Sequence, residues 1–175
     1  MAAYYTYFIS SLPMLRFGSK SALSLKDFLT RCAELIGDKE CQLIRKAVST
    51  DGFKLEGNLP QALLRWREFD FSLRNELAKA RSLRKKTEAA RFLRPGGKTE
   101  MRIAHLAQSA FRQANILEGE RYLDNGRWQE LDEIASGHYF DLEFLLAYAL
   151  KLAILERWSL IGSSQTGWAE RLLGQ

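Results

Sequence analysis

The stretch His138–Trp158 constrains this chain more than any other. It reads His-Tyr-Phe-Asp-Leu-Glu-Phe-Leu-Leu-Ala-Tyr-Ala-Leu-Lys-Leu-Ala-Ile-Leu-Glu-Arg-Trp, a helix that is apolar on nearly every face. A water-exposed protein tolerates such a helix only when other helices surround it. The stretch therefore predicts an all-α multi-helix bundle with this helix, over about 141–161, near its centre. It holds no nucleophile paired with a base and no ligand pair at metal spacing, so it points to a structural or binding protein. The longest uncharged apolar run, Phe144–Leu150, is far short of the roughly 20 residues that a bilayer requires.

Breaks elsewhere divide the chain into seven or eight helical segments, with no alternation of strand and helix. Tyr4–Ser11 is aromatic and β-branched and reads equally as helix or as an extended segment, because no partner strand is evident. Ser24 caps a helix whose face is Leu25, Phe28, Leu29, Cys32, Leu35 and Ile36. Gly37 stops it, and Asp38 caps the next, with Leu43, Ile44, Ala47 and Val48 inward. Thr50-Asp51-Gly52 closes that helix, and a loop follows to Asn58.

Pro60 opens a long helix, about 60–86, because its missing N–H costs nothing in a first turn. Trp66, Phe69, Leu73, Leu77 and Ala80 form its inward stripe, and a short continuation reaches Leu93. Arg94-Pro95-Gly96-Gly97 is the strongest break. Thr99 caps a helix whose line is Ile103, Ala107, Ala110, Ala114 and Leu117, with Asn115 as a cap or kink. Asn125-Gly126 locally reads as a helix stop. Trp128, Leu131 and Ile134 carry the pattern to Ser136, and Gly137 separates it from the central helix. Gly162-Ser163-Ser164 is expected to be a joint, followed by a terminal turn or short helix. A single helical domain, 1–175, is expected, with an internal joint near 95–98. The core is expected to include Trp66, Phe69, Leu73, Phe144, Leu145, Tyr148, Leu152 and Leu155.

Residues that carry chemistry are sparse. Cys32 and Cys41 are the only cysteines, and their spacing fits no zinc or redox motif; they read as reduced thiols of a cytosolic protein. Met1-Ala2-Ala3-Tyr4-Tyr5 lacks the basic and apolar regions of a signal peptide. The two histidines have local explanations: His105 sits mid-helix, and His138 precedes a helix start, where it serves capping. Pro95-Gly96-Gly97-Lys98-Thr99 lacks the first glycine and the preceding strand of a phosphate loop and reads as an interhelical turn. Asp132-Glu133 and Asp141/Glu143 read as caps or partners of surface arginines. No catalytic residue, no metal ligand and no cofactor site is expected, and the protein is not expected to be an enzyme.

Charge is uneven. The net charge is +5, yet residues 65–94 hold ten Lys/Arg and four Asp/Glu, a balance of +6, so the rest sums to −1. An acidic partner should meet the chain there. The long helix turns Arg65, Arg67, Arg74, Lys79, Arg81 and Arg84 away from its apolar stripe. Glu68, Asp70, Glu76 and Glu88 dilute the field, and the aromatics belong to the core stripe rather than to base stacking. Three readings stand: a solvated face, a docking surface for an acidic protein, and, least favoured, a nucleic-acid site using 65–94. The candidate interface is Arg81, Arg84, Lys85, Lys86, Arg91 and Arg94, like charges crowded beside the Pro-Gly-Gly break.

Two ends of the chain resemble a known family. Tyr4-Tyr5-Thr6-Tyr7-Phe8-Ile9-Ser10-Ser11-Leu12-Pro13-Met14-Leu15 resembles the N-terminal signature of an uncharacterised bacterial family encoded among V/A-type ATPase subunits. Asn115–Trp158 resembles the same family and the larger C-type subunit of the V/A-type ATPase, whose eukaryotic counterpart is the d-type subunit. The matching elements are Asn115-Ile116-Leu117-Glu118-Gly119-Glu120-Arg121-Tyr122-Leu123-Asp124, Arg127-Trp128-Gln129-Glu130-Leu131-Asp132-Glu133, Phe140-Asp141-Leu142-Glu143 and Ala147-Tyr148-Ala149-Leu150-Lys151-Leu152. These are helical core patterns and not catalytic signatures. The resemblance implies the all-helical fold of that C-type subunit and a non-catalytic coupling or assembly role with rotor or central-stalk subunits. It implies a cytoplasmic protein, peripheral at the inner membrane through the ATPase. The chain is shorter than a full C-type subunit, so a complete socket does not follow. The resemblance also favours a helix running through Asn125-Gly126, against the local reading.

Overall fold

A computed structural model describes residues 5–49, 57–94 and 100–173, with side chains up to Ser163. The fold is all-α: among these residues there are seven α-helices, one 3-10 turn and no strand. The helices are α1 (Thr6–Ser10), α2 (Leu25–Leu35), α3 (Asp38–Val48), α4 (Gln61–Lys85), α5 (Met101–Phe111), α6 (Ile116–Ala135) and α7 (Leu142–Leu173), and the 3-10 turn is Ala89–Phe92. The chain divides into two compact units, Asn58–Ser136 and the flanking segments Met1–Gly57 with Gly137–Gln175. The joint expected near 95–98 falls on residues outside the described set, as do Thr50-Asp51-Gly52 and the cap expected at Thr99.

The flanking unit is built on α7, which packs against α2 and α3. Leu145 to Leu150 are six consecutive buried residues, which only an enclosed helix can show. Leu152 and Leu155 are buried as expected, whereas Phe144, expected in the core, is half-buried near the helix start. The segment left open between helix and extended forms α1. It buries Phe8 against Phe28, whose ring in turn meets Tyr148 at 5.3 Å between centroids. The Tyr148 hydroxyl donates to the Pro13 carbonyl at 2.8 Å, which pins the segment after α1 to α7.

Ser24 caps α2 as its sequence predicts, accepting from the Asp27 amide at 3.0 Å. Leu35 departs from the expected stripe and is 46% exposed, because α2 ends there and the chain turns extended at Ile36. The cap of α3 is Gly37 rather than Asp38; Asp38 and Glu40 instead occupy the first turn, where carboxylates suit the helix dipole. The joint expected at Gly162-Ser163-Ser164 is absent, and α7 continues to Leu173. One glycine weakens a helix by about 1 kcal/mol and does not by itself end it.

In the central unit, α4 packs against α5 and α6, and α5 against α6. Trp66, Phe69, Leu73 and Leu77 are buried as the stripe predicts. The line Ile103, Ala107, Ala110, Ala114 and Leu117 is broken: α5 ends at Phe111 and α6 starts after Asn115. Asn115 resolves to a cap, its side chain accepting from the Glu118 amide at 2.8 Å. The helix does run through Asn125-Gly126. Gly126 is there for space, since a Cβ would stand 2.5 Å from Leu106 Cδ2.

Candidate functional site

The cations of α4 separate into two groups. Toward its start and middle they meet acids or rings. Arg65 Nη2 lies 4.0 Å from Glu130 Oε1, Arg74 Nε donates to Asp70, and Lys79 Nζ lies 2.6 Å from Glu76. Arg67 sits over the Phe71 ring. At the end of the helix, Arg81, Arg84, Lys85 and Lys86 are all exposed, and among the described residues none has an ion-pair partner. Arg91 and Arg94 are exposed as well, with Arg91 3.8 Å from Glu88 in a weak surface pair. The structure thus brings the six expected interface residues to one end of α4 and the turn after it.

Two local devices hold that end. Lys86 adopts a left-handed backbone (φ 53°), and the Thr87 amide then donates to the Ser82 carbonyl at 3.0 Å, closing the helix as a glycine would. Asn75 clasps the backbone of Arg94 in both directions. Its Oδ1 accepts from the Arg94 amide at 2.8 Å, and its Nδ2 donates to the Arg94 carbonyl at 2.9 Å. The 3-10 turn between them packs on α4 and leaves Phe92 and Leu93 exposed beside the cations.

A groove of about 630 Å³ opens between the end of α4 and the α5–α6 turn. Leu77, Ala110, Ala114, Gly119 and Leu123 line its apolar part. Arg81, Arg84 and Lys85 line the α4 side, and Glu120 is the one acid of the lining. Phe111 and Ile116 extend the apolar lining to solvent, Ile116 being 87% exposed. Gly119 permits the tight return of α6 on α5, because a Cβ there would be 2.9 Å from the Ala110 carbonyl oxygen. Sequence reasoning does not find this groove. Its only signal is the run of small residues Ala110, Ala114 and Gly119, which leaves volume unfilled where α5 turns into α6.

Sequence reasoning also misses a buried ionic network in the central unit. Asp70 and Asp124 are 2% and 0% exposed, and Arg127 spans them, its Nη1 donating to Asp124 at 2.8 Å and its Nε lying 3.6 Å from Asp70. Asp70, read from the sequence as one of the acids diluting the basic field, therefore belongs to the interior. Arg102 donates to the buried Glu130 at 2.5 Å, and this hydrogen bond raises the Arg102 pKa still further. Arg102 also covers the Phe69 ring at 5.7 Å. A second, smaller cavity of about 170 Å³ lies among these groups, including Arg65, Arg102, Glu130 and Glu133. Its lining carries four glutamates, Glu68, Glu100, Glu130 and Glu133, against two arginines, and both Arg65 and Arg102 meet Glu130.

The other chemistry-bearing residues keep to local tasks. Asp141 Oδ1 accepts from the Phe144 amide at 3.1 Å and so caps α7, while its Oδ2 lies 2.6 Å from His138 Nδ1. Glu143 stands near them, the three donor atoms lying within 4.8 Å of one another, a spacing that could hold a metal ion in a stretch whose sequence offers no evident ligand pair. The capping role read for His138 thus passes through Asp141. His105 is exposed on α5, in the other unit from His138. Cys32 and Cys41 are buried free thiols, and burial pushes the Cys32 thiol up to about 12, far from a reactive thiolate. Among the described residues no helix is long and apolar enough to cross a membrane.

The chain is similar over residues 102–172 to a family of proteins of unknown function, DUF2764. That span takes in α5, α6 and α7 almost to their ends and includes the Asn115–Trp158 stretch. No curated protein and no solved structure matches the chain.

Proposed function

We propose that this protein is a non-catalytic coupling or assembly element of a bacterial V/A-type ATPase, akin to its C-type subunit and docking on rotor or central-stalk subunits through the end of α4. The observation that carries the docking half is the separation of charge along α4. Its early cations are matched inside the protein, and the late ones, Arg81, Arg84, Lys85 and Lys86, are exposed beside the apolar Leu83, Phe92 and Leu93. Unmatched like charges crowded together cost a protein stability, and they are compatible with a partner of opposite sign. Exposed apolar side chains among them favour a protein partner, since association draws its affinity from buried apolar contacts and its orientation from charge.

The identity of the partner rests on the resemblance of the two ends of the chain to the ATPase-associated family and to the C-type subunit. A coupling element holds two partners and reacts with neither, which agrees with the capping role of Asp141 beside His138 and the burial of both cysteines. Association with the inner membrane is then indirect, through the ATPase. The nucleic-acid reading is weaker, because Trp66 and Phe69 are buried and Phe92 is left in the basic segment as a single exposed ring rather than a stacking platform.

The test is co-purification from the native host with a tagged ATPase subunit. The protein should appear in intact, ATP-hydrolysing complexes or in their assembly intermediates. Its absence from both would refute the proposal.

A further inference from the structure

We infer that the groove at the end of α4 receives one segment of a protein partner, an amphipathic helix bearing large apolar side chains on one face and carboxylates along its flank. The inference rests on the docking reading of this surface and names what docks. Three observations on the groove select the occupant.

Volume and lining come first. About 630 Å³ lined by Leu77, Ala110, Ala114 and Leu123 accommodates several large apolar side chains. A small-molecule site of that size also needs convergent polar groups to orient its ligand. Here the Asn115 side chain is already used on the Glu118 amide and the Gln113 side-chain amide nitrogen on the Ser109 carbonyl, and the lining cations all stand on α4. The groove therefore sorts its ligand by apolar shape and by the sign of one edge.

Charge comes second. Arg81, Arg84 and Lys85 face Glu120 across the lining, a balance of three to one, and these three cations have no ion-pair partner among the described residues. A carboxylate-rich flank laid toward α4 gains from all three, whereas a basic flank is repelled. Asymmetry of this kind also fixes direction, because the opposite orientation would bring carboxylates to Glu120.

Backbone chemistry comes third. The walls are helices, with no strand edge among the described residues to pair with an extended peptide. A helix arrives with its backbone donors and acceptors already satisfied and needs only its side chains recognised.

The probe is an acetylated and amidated synthetic peptide of roughly 18 residues, with Leu and Phe at helical i, i+3, i+4 and i+7 positions and Glu on the flanks. Two controls exchange all Glu for Lys, or all Leu and Phe for Ser. Binding to the full-length protein is followed by fluorescence anisotropy in low salt. The acidic amphipathic peptide should bind, and each control should bind at least about tenfold more weakly. Ala114→Trp, at an exposed position of the α5–α6 turn, fills the groove and should abolish binding with the circular dichroism spectrum unchanged. The pair Arg81→Glu with Arg84→Glu should weaken the acidic peptide and strengthen the lysine control.

No binding of the acidic peptide, equal binding of the acidic and lysine peptides, or unaltered binding to Ala114→Trp would overturn the inference. So would displacement of the bound peptide by phosphatidylglycerol vesicles or duplex DNA, which would mark a general polyanion surface. The two proposals fail separately. A tagged ATPase that retains the Ala114→Trp variant leaves docking intact and removes the groove from it. Peptide binding by a protein that never co-purifies with the ATPase sustains the groove and refutes the ATPase.

Discussion

Single residues decide where this chain can approach itself, and two glycines test the point. Gly119 and Gly126 both lie inside α6, where alanine would gain about 1 kcal/mol of helix propensity. Space opposes that gain at both, through different neighbours. At Gly119 the obstacle is the backbone carbonyl of Ala110, which cannot move without shifting the end of α5. At Gly126 it is the tip of the Leu106 side chain, which can change rotamer. Gly119→Ala should therefore destabilise the protein more than Gly126→Ala in urea melts. The reverse order would place the tight contact elsewhere. Titration gives a second residue-scale outcome. Burial pushes both the Cys32 thiol and the Tyr148 hydroxyl up to about 12, and the Tyr148 proton is held on the Pro13 carbonyl. Both groups stay protonated in the folded protein after the unfolded chain has lost its protons. The folded state then binds more protons, so stability should fall as pH rises from about 9 toward 12. Denaturant midpoints at pH 8 and pH 10.5 check this, and Cys32→Ala with Tyr148→Phe should flatten the decline.

At the scale of elements, the sequence was most legible where apolar side chains set the period. The inward stripes of α4 and α7 were readable because Trp66, Phe69, Leu73, Leu145 and Leu152 recur at helical steps over several turns. Ends were less legible. Gly37, Gly126 and Gly162 look alike in sequence, yet the first caps a helix and the others lie within one. Leu106 accounts for the glycine at Gly126, whereas a Cβ at Gly162 would meet nothing within 4 Å, so space does not explain that glycine. The buried acids were illegible for a related reason. Asp70 and Asp124 each have an arginine within one helical turn, Arg74 and Arg127, and so read as ordinary surface pairs; only the fold brings Arg127 to Asp70 and buries both acids. The candidate interface was legible as a run of cations; its groove was not, because its walls, the end of α4 and the α5–α6 turn, are far apart in sequence and meet only in the fold. The network carries a prediction of its own. Arg127→Met removes the cation at 2.8 Å from Asp124 and weakens the link between α6 and Asp70 of α4. It should cost about 3–5 kcal/mol by denaturant melts, the usual penalty for breaking a buried pair. A cost near zero would mean that water reaches these carboxylates.

On the scale of the whole molecule, the two compact units and the placement of charge lead to one experiment on association. The central unit is continuous in sequence and carries both the basic end of α4 and the groove. The flanking unit spends its apolar surface on enclosing α7 and has no comparable charge excess, since its eleven Lys/Arg against ten Asp/Glu leave +1. Steering by charge should therefore arise from one small region. Reversing Arg81, Arg84 and Lys85 to Glu changes that region by six charge units without touching a buried side chain. If the end of α4 guides docking on the ATPase shaft or ring subunits, the triple variant should associate at least about tenfold more slowly at low salt, with a smaller change in dissociation. The difference should shrink as ionic strength approaches roughly 0.5 M, where screening confines charges to their nearest neighbours. Reversing Lys20, Lys26 and Lys39, exposed cations of the flanking unit, changes net charge equally and should leave the rate almost unaltered. Surface-plasmon measurements on immobilised ATPase subunits read both rate constants. Equal slowing by the two triple variants would mean that net charge alone governs the encounter, and the assignment of docking to α4 would be lost.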